Sequence, residues 1–121
     1  MWSGINRRKF PRAEYPCKIT VKRKDHPDTL TTHTENIGIG CICVMLTKDL
    51  GIFAPVEIQL DLLDAKPVVE CDGAVVWIVE KKQEQEEEKR FDTGIEFTNL
   101  KRKDAERINN IVELVLNEKG Q

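Results

Sequence analysis

Long hydrophobic runs are absent from this sequence of 121 residues. The longest uninterrupted apolar stretches, residues 41–46 and 74–79, have six residues each, whereas a helix needs about 20 to cross a bilayer. The apolar core of a secretory signal is also missing, because the basic pair Arg7 and Arg8 comes soon after the N-terminus. We therefore expect no membrane insertion and a cytoplasmic location. The short length predicts a single domain over residues 1–121.

Recognisable catalytic motifs are absent as well. The two histidines, His26 and His33, stand in no metalloprotease, phosphate-loop or nucleophile-elbow pattern. The carboxylates crowded into residues 80–90 lack the burial that tunes a pKa for acid–base catalysis. We therefore expect no enzyme and no catalytic residue. Cys41 and Cys43 project from one face of a predicted strand, but the four cysteines include no CxxC pair. We therefore expect no metal site and no cofactor. We also expect the cysteines to be reduced thiols.

Aromatic residues are scarce, with only seven in the chain. Small barrels that bind single-stranded nucleic acid stack the bases on aromatic side chains along a basic groove. We assign Phe53, Trp77 and Phe97 to the core. The aromatic residues that remain are Trp2, Phe10, Tyr15 and Phe91. Nucleic-acid binding is therefore a less favoured alternative.

Charge is distributed unevenly along the chain. Residues 1–24 carry eight basic side chains against the single acid Glu14, a net charge of +7, so that the other 97 residues carry −9. A basic arm favours binding of an anionic partner, such as a nucleotide, a nucleic acid or a membrane headgroup. The alternative is that the arm only keeps the protein soluble. Residues 80–90 contain no apolar side chain. This composition predicts a solvated hairpin loop, and the alternative is that the segment is an acidic docking site for a partner.

Apolar and polar residues alternate with a period of two through the middle of the chain. Separated by turn-forming residues, these segments predict six strands near residues 16–24, 28–37, 41–47, 56–63, 68–80 and 91–97. Short connections between them favour an all-β fold, in which a six-stranded antiparallel sheet closes into a small barrel over residues 13–97. Residues 1–12 then form a basic N-terminal arm.

The last part of the chain changes to a helical period. Apolar residues spaced three and four apart between Ala105 and Val115 predict an amphipathic helix over residues 102–118. Leu114 and Leu116 make its apolar face wider than one groove requires. Two interpretations remain open at this point: the helix packs entirely on its own barrel, or part of it contacts a second subunit.

A cluster of arginines precedes the first predicted strand. Arg7, Arg8 and Arg12 lie within six residues of one another. A guanidinium group is planar and can bind a phosphate, or the O6 and N7 atoms of guanine, through two parallel hydrogen bonds. The segment is therefore a candidate site for an anionic ligand that contains guanine or phosphate.

A second candidate segment, residues 36–41, lies at the predicted turn between the second and third strands. The amide of Asn36 can both donate and accept hydrogen bonds at the edge of a base. Gly38 and Gly40 have no side chains, so a ligand can approach the backbone closely. This segment also favours a ligand that contains a base.

Together, the two segments resemble the PilZ domain, the bacterial receptor family for cyclic di-GMP. The family pattern is RxxxR, usually preceded by another arginine and followed later in the chain by [D/N]xSxxG. Arg8 and Arg12 match the first motif, and Arg7 is the preceding arginine. Asn36 matches the first position of the second motif.

Two positions depart from the family pattern. Gly38 stands where the family has serine, and Cys41 stands where it has the final glycine, although Gly40 lies one residue earlier. Residues 75–77 and 94–97 nevertheless resemble the family's fifth and sixth strands. The departures leave open the alternative of a degenerate member that acts as a protein-interaction module without nucleotide binding.

The resemblance implies a six-stranded barrel with a C-terminal helix that acts as a cyclic di-GMP receptor. The ligand-binding residues that it implies are Arg7, Arg8, Arg12, Asn36, Gly38, Gly40 and Cys41. An arginine just before RxxxR implies two ligand molecules per chain. We expect residues 1–12 to be mobile without ligand and ordered with it, so that the arm relays the signal to an unknown protein partner.

Overall fold

The computed structural model describes residues 12–82 and 89–119 of the chain. Seven strands and one helix follow one another in these residues: β1 (Arg12–Ala13), β2 (Lys18–Arg23), β3 (Thr29–Gly38), β4 (Cys41–Leu46), β5 (Pro55–Leu60), β6 (Val69–Lys81), β7 (Arg90–Phe97) and α1 (Arg102–Lys119). Two of the candidate ligand-binding residues, Arg7 and Arg8, lie outside the described residues.

Six of the strands form a closed antiparallel barrel. Hydrogen-bonded neighbours follow the order β3, β2, β5, β6, β7 and β4, and pairing between β4 and β3 closes the ring. The predicted all-β barrel is therefore confirmed, and its strands differ from the predicted segments only near their ends. Closure leaves these six strands with no open edge along most of their length.

Aliphatic side chains from alternate strand positions fill the barrel. Ile19 and Val21 of β2 are paired with Leu60 and Ile58 of β5, and all four side chains are buried. This period-two burial is the physical reason that the sequence pattern predicted strands. Ile108 belongs to the same core cluster, so α1 is part of the folding unit.

The C-terminal helix packs against β1 and β3. Its buried apolar side chains are Ile108 and Val112, whereas Leu114 and Leu116 remain 63% and 38% exposed. The helix therefore lies on its own barrel with part of its apolar surface facing solvent. No helix in the described part of the chain combines the length and apolarity needed to cross a membrane.

Two features differ from the sequence-based expectations. The short strand β1 was not predicted, because two residues are too few to display a hydrophobic period. Phe53 was assigned to the core, but its side chain is 77% exposed in a turn before β5, where its φ is 66°. That assignment was wrong because hydrophobic composition alone does not show which residues of a turn point inward. Phe97, by contrast, packs against the core.

Candidate functional site

The two candidate motifs meet at the pairing of β1 with β3. Arg12 lies directly opposite Gly38 in this ladder, and Ala13 lies opposite Ile37. Ala13 and Ile37 point into the core. Since alternate residues of a strand point to opposite faces, Arg12 and Gly38 lie on the outer face of the barrel. Arg12, the last residue of the arginine motif, and the asparagine–glycine segment thus share one surface.

A short turn at residues 39–40 connects β3 to β4 beside this surface. The carbonyl oxygen of Gly40 accepts a hydrogen bond from the Phe97 amide at 3.2 Å, which fixes the turn against β7. Cys41, the first residue of β4, is paired with Glu96 and is half-buried. Among the described glycines, only Gly51 has a positive φ. Gly38 and Gly40 therefore contribute space next to the backbone rather than a left-handed conformation.

Asn36 lies two residues before Gly38 and on the same face of β3. Its side-chain oxygen Oδ1 is fully buried and accepts no hydrogen bond from any described residue. Leaving a buried acceptor without a donor costs about 1–3 kcal/mol. A ligand that donates a hydrogen bond to Oδ1 would remove this cost.

The outer face continues from Asn36 across three more strands. Asn36 is paired with Cys43 of β4, Cys43 with Gly94 of β7, and Gly94 with Trp77 of β6. A side chain at position 94 would overlap the indole of Trp77, so the ring lies flat over this glycine. Neighbouring strands are about 4.8 Å apart, which places the Trp77 backbone roughly 14 Å from Asn36.

Trp77 is therefore an additional candidate site residue that the sequence did not reveal. It was assigned to the core, but it is half-buried and paired with residues of the outer face. The signal in the sequence is the small residue Gly94, which leaves room for a neighbouring ring. The signal can be interpreted only when the strand register is known, because the register shows that Gly94 is paired with Trp77.

A second group of polar side chains lies beside Asn36. Glu35 is the extra residue where the pairing of β3 with β4 shifts register. The sulfur of Cys43 lies 3.2 Å from Glu35 Oε1 and 3.0 Å from Asp92 Oδ1, so its single proton is within hydrogen-bond reach of both. Lys81 Nζ lies 3.8 Å from Asp92 Oδ2. A buried thiol thus lies between two carboxyl groups that come from different strands.

The electrostatics of this group favour protons on two of its members. A hydrogen bond to Asp92, together with partial burial, raises the pKa of Glu35. Burial and both carboxyl groups raise the pKa of the Cys43 thiol far above its usual value. Partial burial acts to raise the pKa of Asp92, but hydrogen bonds from Glu35 and Cys43 and the charge of Lys81 bring it below its usual value.

This group was not predictable from any local sequence pattern. Paired carboxyl groups were expected only in the charged segment 80–90, and the pairing of Glu35 with Asp92 shows that this expectation was incomplete. The two residues are far apart in sequence, and a β-bulge brings Glu35 into position. Register and bulge position depend on the assembled sheet, so no local pattern contains them.

Comparison with known protein families gives a match over most of the chain. The family model described as the PilZ domain matches residues 6–114. That range includes the described candidate residues Arg12, Asn36 and Trp77 and the two arginines outside the described residues. No curated protein matches the chain.

Three solved structures with the same fold, each from a different organism, illustrate the similarity. The PilZ domain of YcgR from Escherichia coli, solved with c-di-GMP, has a TM-score of 0.71 and 18% identity, covering 93% of this chain and 94% of that one. The Bacillus subtilis inhibitor of motility MotI/DgrA has a TM-score of 0.73 and 14% identity, covering 93% and 53%. MrkH of K. pneumonia in its apo state has a TM-score of 0.75 and 17% identity, covering 92% and 49%.

These similarities establish a common fold. This chain spans about half of MotI/DgrA and of MrkH, and nearly all of the YcgR PilZ domain. At 14–18% identity the likeness concerns the backbone rather than individual side chains. The residues of the candidate site must therefore be judged on their own geometry.

Proposed function

Because the chain belongs to the PilZ domain family, we propose that it is a receptor that binds cyclic di-GMP and transmits the signal to a protein partner. The family is one of cyclic di-GMP receptors rather than of enzymes, and we propose no catalytic activity and no cofactor. The proposed location is the bacterial cytoplasm.

The pairing of Arg12 with Gly38 is the observation that carries this proposal. It brings the last arginine of the first motif next to the middle of the second motif. Asn36 lies on the same face and has an acceptor atom without a donor among the described residues. A ligand with both phosphate and guanine groups would satisfy the guanidinium and the amide together.

Charge supports the same ligand. Cyclic di-GMP carries two negative charges on its phosphates, and residues 1–24 have a net charge of +7. Hydrogen bonds between a guanidinium and a phosphate are about twice as strong as neutral ones. The strongest contacts therefore fall to Arg7, Arg8 and Arg12, all of which match the family pattern.

The two departures from the pattern should reduce affinity without abolishing it. Loss of the serine hydroxyl at Gly38 removes a neutral hydrogen bond, which is worth about 0.5–1.5 kcal/mol. The side chain of Cys41, in place of a glycine, costs a similar amount where the ligand meets the backbone. At 1.4 kcal/mol per tenfold change, the two effects together weaken binding by about one to two orders of magnitude.

The number of bound ligands and the route of the signal extend the proposal. Arg7 offers a third guanidinium, which can cover a further guanine face or phosphate, so we expect two stacked ligand molecules per chain. Binding then neutralises the repulsion among the arginines and orders the part of the arm that precedes Arg12, which is already paired with Gly38, across the barrel. This change creates or hides a surface that the protein partner recognises.

Calorimetric titration of the full chain with cyclic di-GMP tests the proposal. We expect saturable binding with an endpoint of two ligands per chain. Arg8→Ala and Arg12→Ala should each weaken binding by about 5- to 150-fold, since a bidentate guanidinium contributes about 1–3 kcal/mol. Asn36→Ala should have a smaller effect, because it removes only neutral hydrogen bonds.

Lys48→Ala is the matched control for these variants. This exposed lysine follows the end of β4 that is remote from Cys41, so its loss changes the net charge without touching the site. Cyclic di-AMP tests whether the site reads guanine. Absence of heat with the unmodified chain at high ligand concentration would overturn the proposal and favour a degenerate interaction module.

Nucleic-acid binding is the second candidate function, and the same titration distinguishes it from binding of cyclic di-GMP. Binding of an oligonucleotide through charge alone is nonspecific and falls steeply with salt. A guanine-specific pocket keeps its preference for cyclic di-GMP over cyclic di-AMP as the salt concentration rises. Equal binding of both dinucleotides, lost at moderate salt, would assign the basic arm to nucleic acid instead.

A further inference from the structure

Glu35, Cys43 and Asp92 form a compact group of metal-ligating side chains that the proposed nucleotide site does not use. One ligand atom from each residue lies within 4.8 Å of the other two. The three residues come from β3, β4 and β7, which are neighbours in the barrel. The group is therefore held by strand pairing and not by a loop.

The chemistry of this group is unusual for a structural hydrogen-bond network. Ionised carboxylates only accept hydrogen bonds, and a thiol is a weak donor. Cys43 is only 4% exposed, so this weak donor is the buried partner of both acids. The ammonium of Lys81 lies 3.8 Å from Asp92 Oδ2, at the edge of the group. The group thus places two carboxyl groups, which are hydrogen-bonded to each other, around a buried sulfur.

The ligand atoms lie slightly closer together than those of a tetrahedral zinc site. Bond lengths of about 2.3 Å to sulfur and about 2.1 Å to oxygen place a sulfur and an oxygen ligand roughly 3.6 Å apart. The present separations are 3.0 Å from Cys43 to Asp92 and 3.2 Å from Cys43 to Glu35. Side-chain rotations that open each by about 0.5 Å would therefore admit the ion.

The neighbouring residue Asn36 provides an observation that is independent of this group. It is the direct cross-strand partner of Cys43, and its Oδ1 is a fully buried acceptor without a donor among residues 12–82 and 89–119. An amide oxygen and a water molecule are both suitable fourth ligands for a divalent ion. If Asn36 Oδ1 is the fourth ligand, the ion competes with guanine for this atom, whereas a water molecule as the fourth ligand leaves the amide to the nucleotide.

Charge balance also fits. Two carboxylates and one thiolate carry three negative charges, which Zn²⁺ and the adjacent Lys81 ammonium neutralise. Binding releases the thiol proton, and any proton that the two carboxyl groups share, to the solvent. A soft thiolate with hard oxygens selects a borderline ion such as Zn²⁺ over Mg²⁺ or Ca²⁺.

We propose that Glu35, Cys43 and Asp92 bind one Zn²⁺ ion on the outer face of the barrel, next to Asn36. The site is separate from the arginines of the proposed nucleotide site, so it does not require that the chain bind cyclic di-GMP. Because Glu35 and Asn36 are adjacent in β3, an ion at this position would also fix the strand that carries the nucleotide-site amide.

Titration of the full, metal-free chain with Co²⁺ under reducing conditions provides the test. Cobalt replaces zinc in tetrahedral sites, and a thiolate ligand gives a sulfur-to-cobalt charge-transfer band that oxygen ligands do not give. We expect this band to saturate at one Co²⁺ per chain and to disappear when Zn²⁺ is added. Glu35→Gln and Asp92→Asn should each weaken Co²⁺ binding by at least about tenfold.

Cys43→Ala should abolish the charge-transfer band, and Cys71→Ala, which removes another buried thiol outside the group, should leave it unchanged. If Cys43→Ala does not fold, the substitution of the exposed residue Glu35 decides the question, since its loss leaves the core intact. No saturable band with the unmodified chain, or an equal band in Cys43→Ala, would overturn the proposal.

Discussion

Arg12 and Gly38 are direct cross-strand partners on the outer face of the barrel. This pairing places the end of the arginine motif beside the position where the family pattern has serine. A hydroxyl at position 38 would therefore face the same ligand as the Arg12 guanidinium. Under the proposed function, a substitution at position 38 should therefore change the affinity without moving Arg12.

Restoring serine at position 38 should strengthen binding of cyclic di-GMP. Gly38→Ser adds a neutral hydrogen bond worth about 0.5–1.5 kcal/mol, equivalent to a 2- to 12-fold lower Kd. Gly38 does not have a positive φ, so a side chain requires no left-handed backbone. Calorimetry measures the change, and Thr31→Ser, at an exposed position of the same strand, is the control. A Kd that does not fall would mean that position 38 does not contact the ligand.

Replacing Trp77 should weaken binding if its ring forms the far edge of the ligand surface. Stacking of a base on an aromatic ring contributes about 1–3 kcal/mol, so Trp77→Ala should raise the Kd by about 5- to 150-fold. Trp77→Phe keeps an aromatic ring and should retain part of the affinity. Thermal unfolding of both variants separates this effect from loss of the fold. Unchanged binding in a folded Trp77→Ala protein would remove Trp77 from the site.

The barrel was predictable from the sequence because inward and outward residues alternate along each strand. The pattern Val56, Ile58 and Leu60 is one example, and these three side chains are buried as expected. The helix was predictable for the same reason, because its apolar residues recur at intervals of three and four. These patterns are local, so they need no knowledge of which strands become neighbours.

The contacts between strands were not predictable in this way. The meeting of Glu35 with Asp92 depends on a bulge and on the order of strands, neither of which leaves a periodic signal. The exposed position of Phe53 depends on the turn that precedes β5. The family resemblance, rather than any local pattern, was the reason to predict that the arginine motif and residues 36–41 belong to one site.

Substitution of Arg107 should destabilise the attachment of α1 to the barrel. Its side chain is 13% exposed and binds both oxygens of Asp64, with Nε at 3.0 Å and Nη2 at 2.9 Å. Nη1 also donates to Asp104 Oδ1 at 3.1 Å. Arg107→Ala leaves the buried Asp104 carboxylate without this partner, so we expect a loss of about 2–3 kcal/mol in the free energy of unfolding.

Urea unfolding measures this loss, and a second arginine of the same helix provides the control. Arg102 is 94% exposed and forms only a surface pair with Glu106, so Arg102→Ala should cost less than about 0.5 kcal/mol. Arg107→Lys should give an intermediate result, because an ammonium cannot form the paired bonds to Asp64. Equal stability of the Arg107 and Arg102 variants would show that the network contributes nothing.

The same network should make stability depend on acidity. Hydrogen bonds from Arg107 lower the pKa of Asp64 below its usual value of 3.8. The folded state therefore holds the carboxylate more strongly than the unfolded state does, and the resulting stabilisation is present above pH 3.8 and lost as the pH falls through the lowered pKa. Urea midpoints measured from pH 5 downward should fall more steeply for the unmodified chain than for Arg107→Ala. Parallel curves would contradict this assignment.

Binding of cyclic di-GMP should protect the N-terminal arm from amide hydrogen exchange. Residues 5–12 contain three arginines that repel one another, and the ligand phosphates would neutralise that repulsion while Arg12 anchors the segment at β3. We therefore expect slower exchange of residues 5–12 with ligand, whereas the amides of α1, which lie within a regular helix, serve as the internal reference. Arg12→Ala should lose the ligand-dependent protection together with binding. Equal exchange with and without ligand, under conditions where calorimetry shows saturation, would place the conformational signal elsewhere in the barrel.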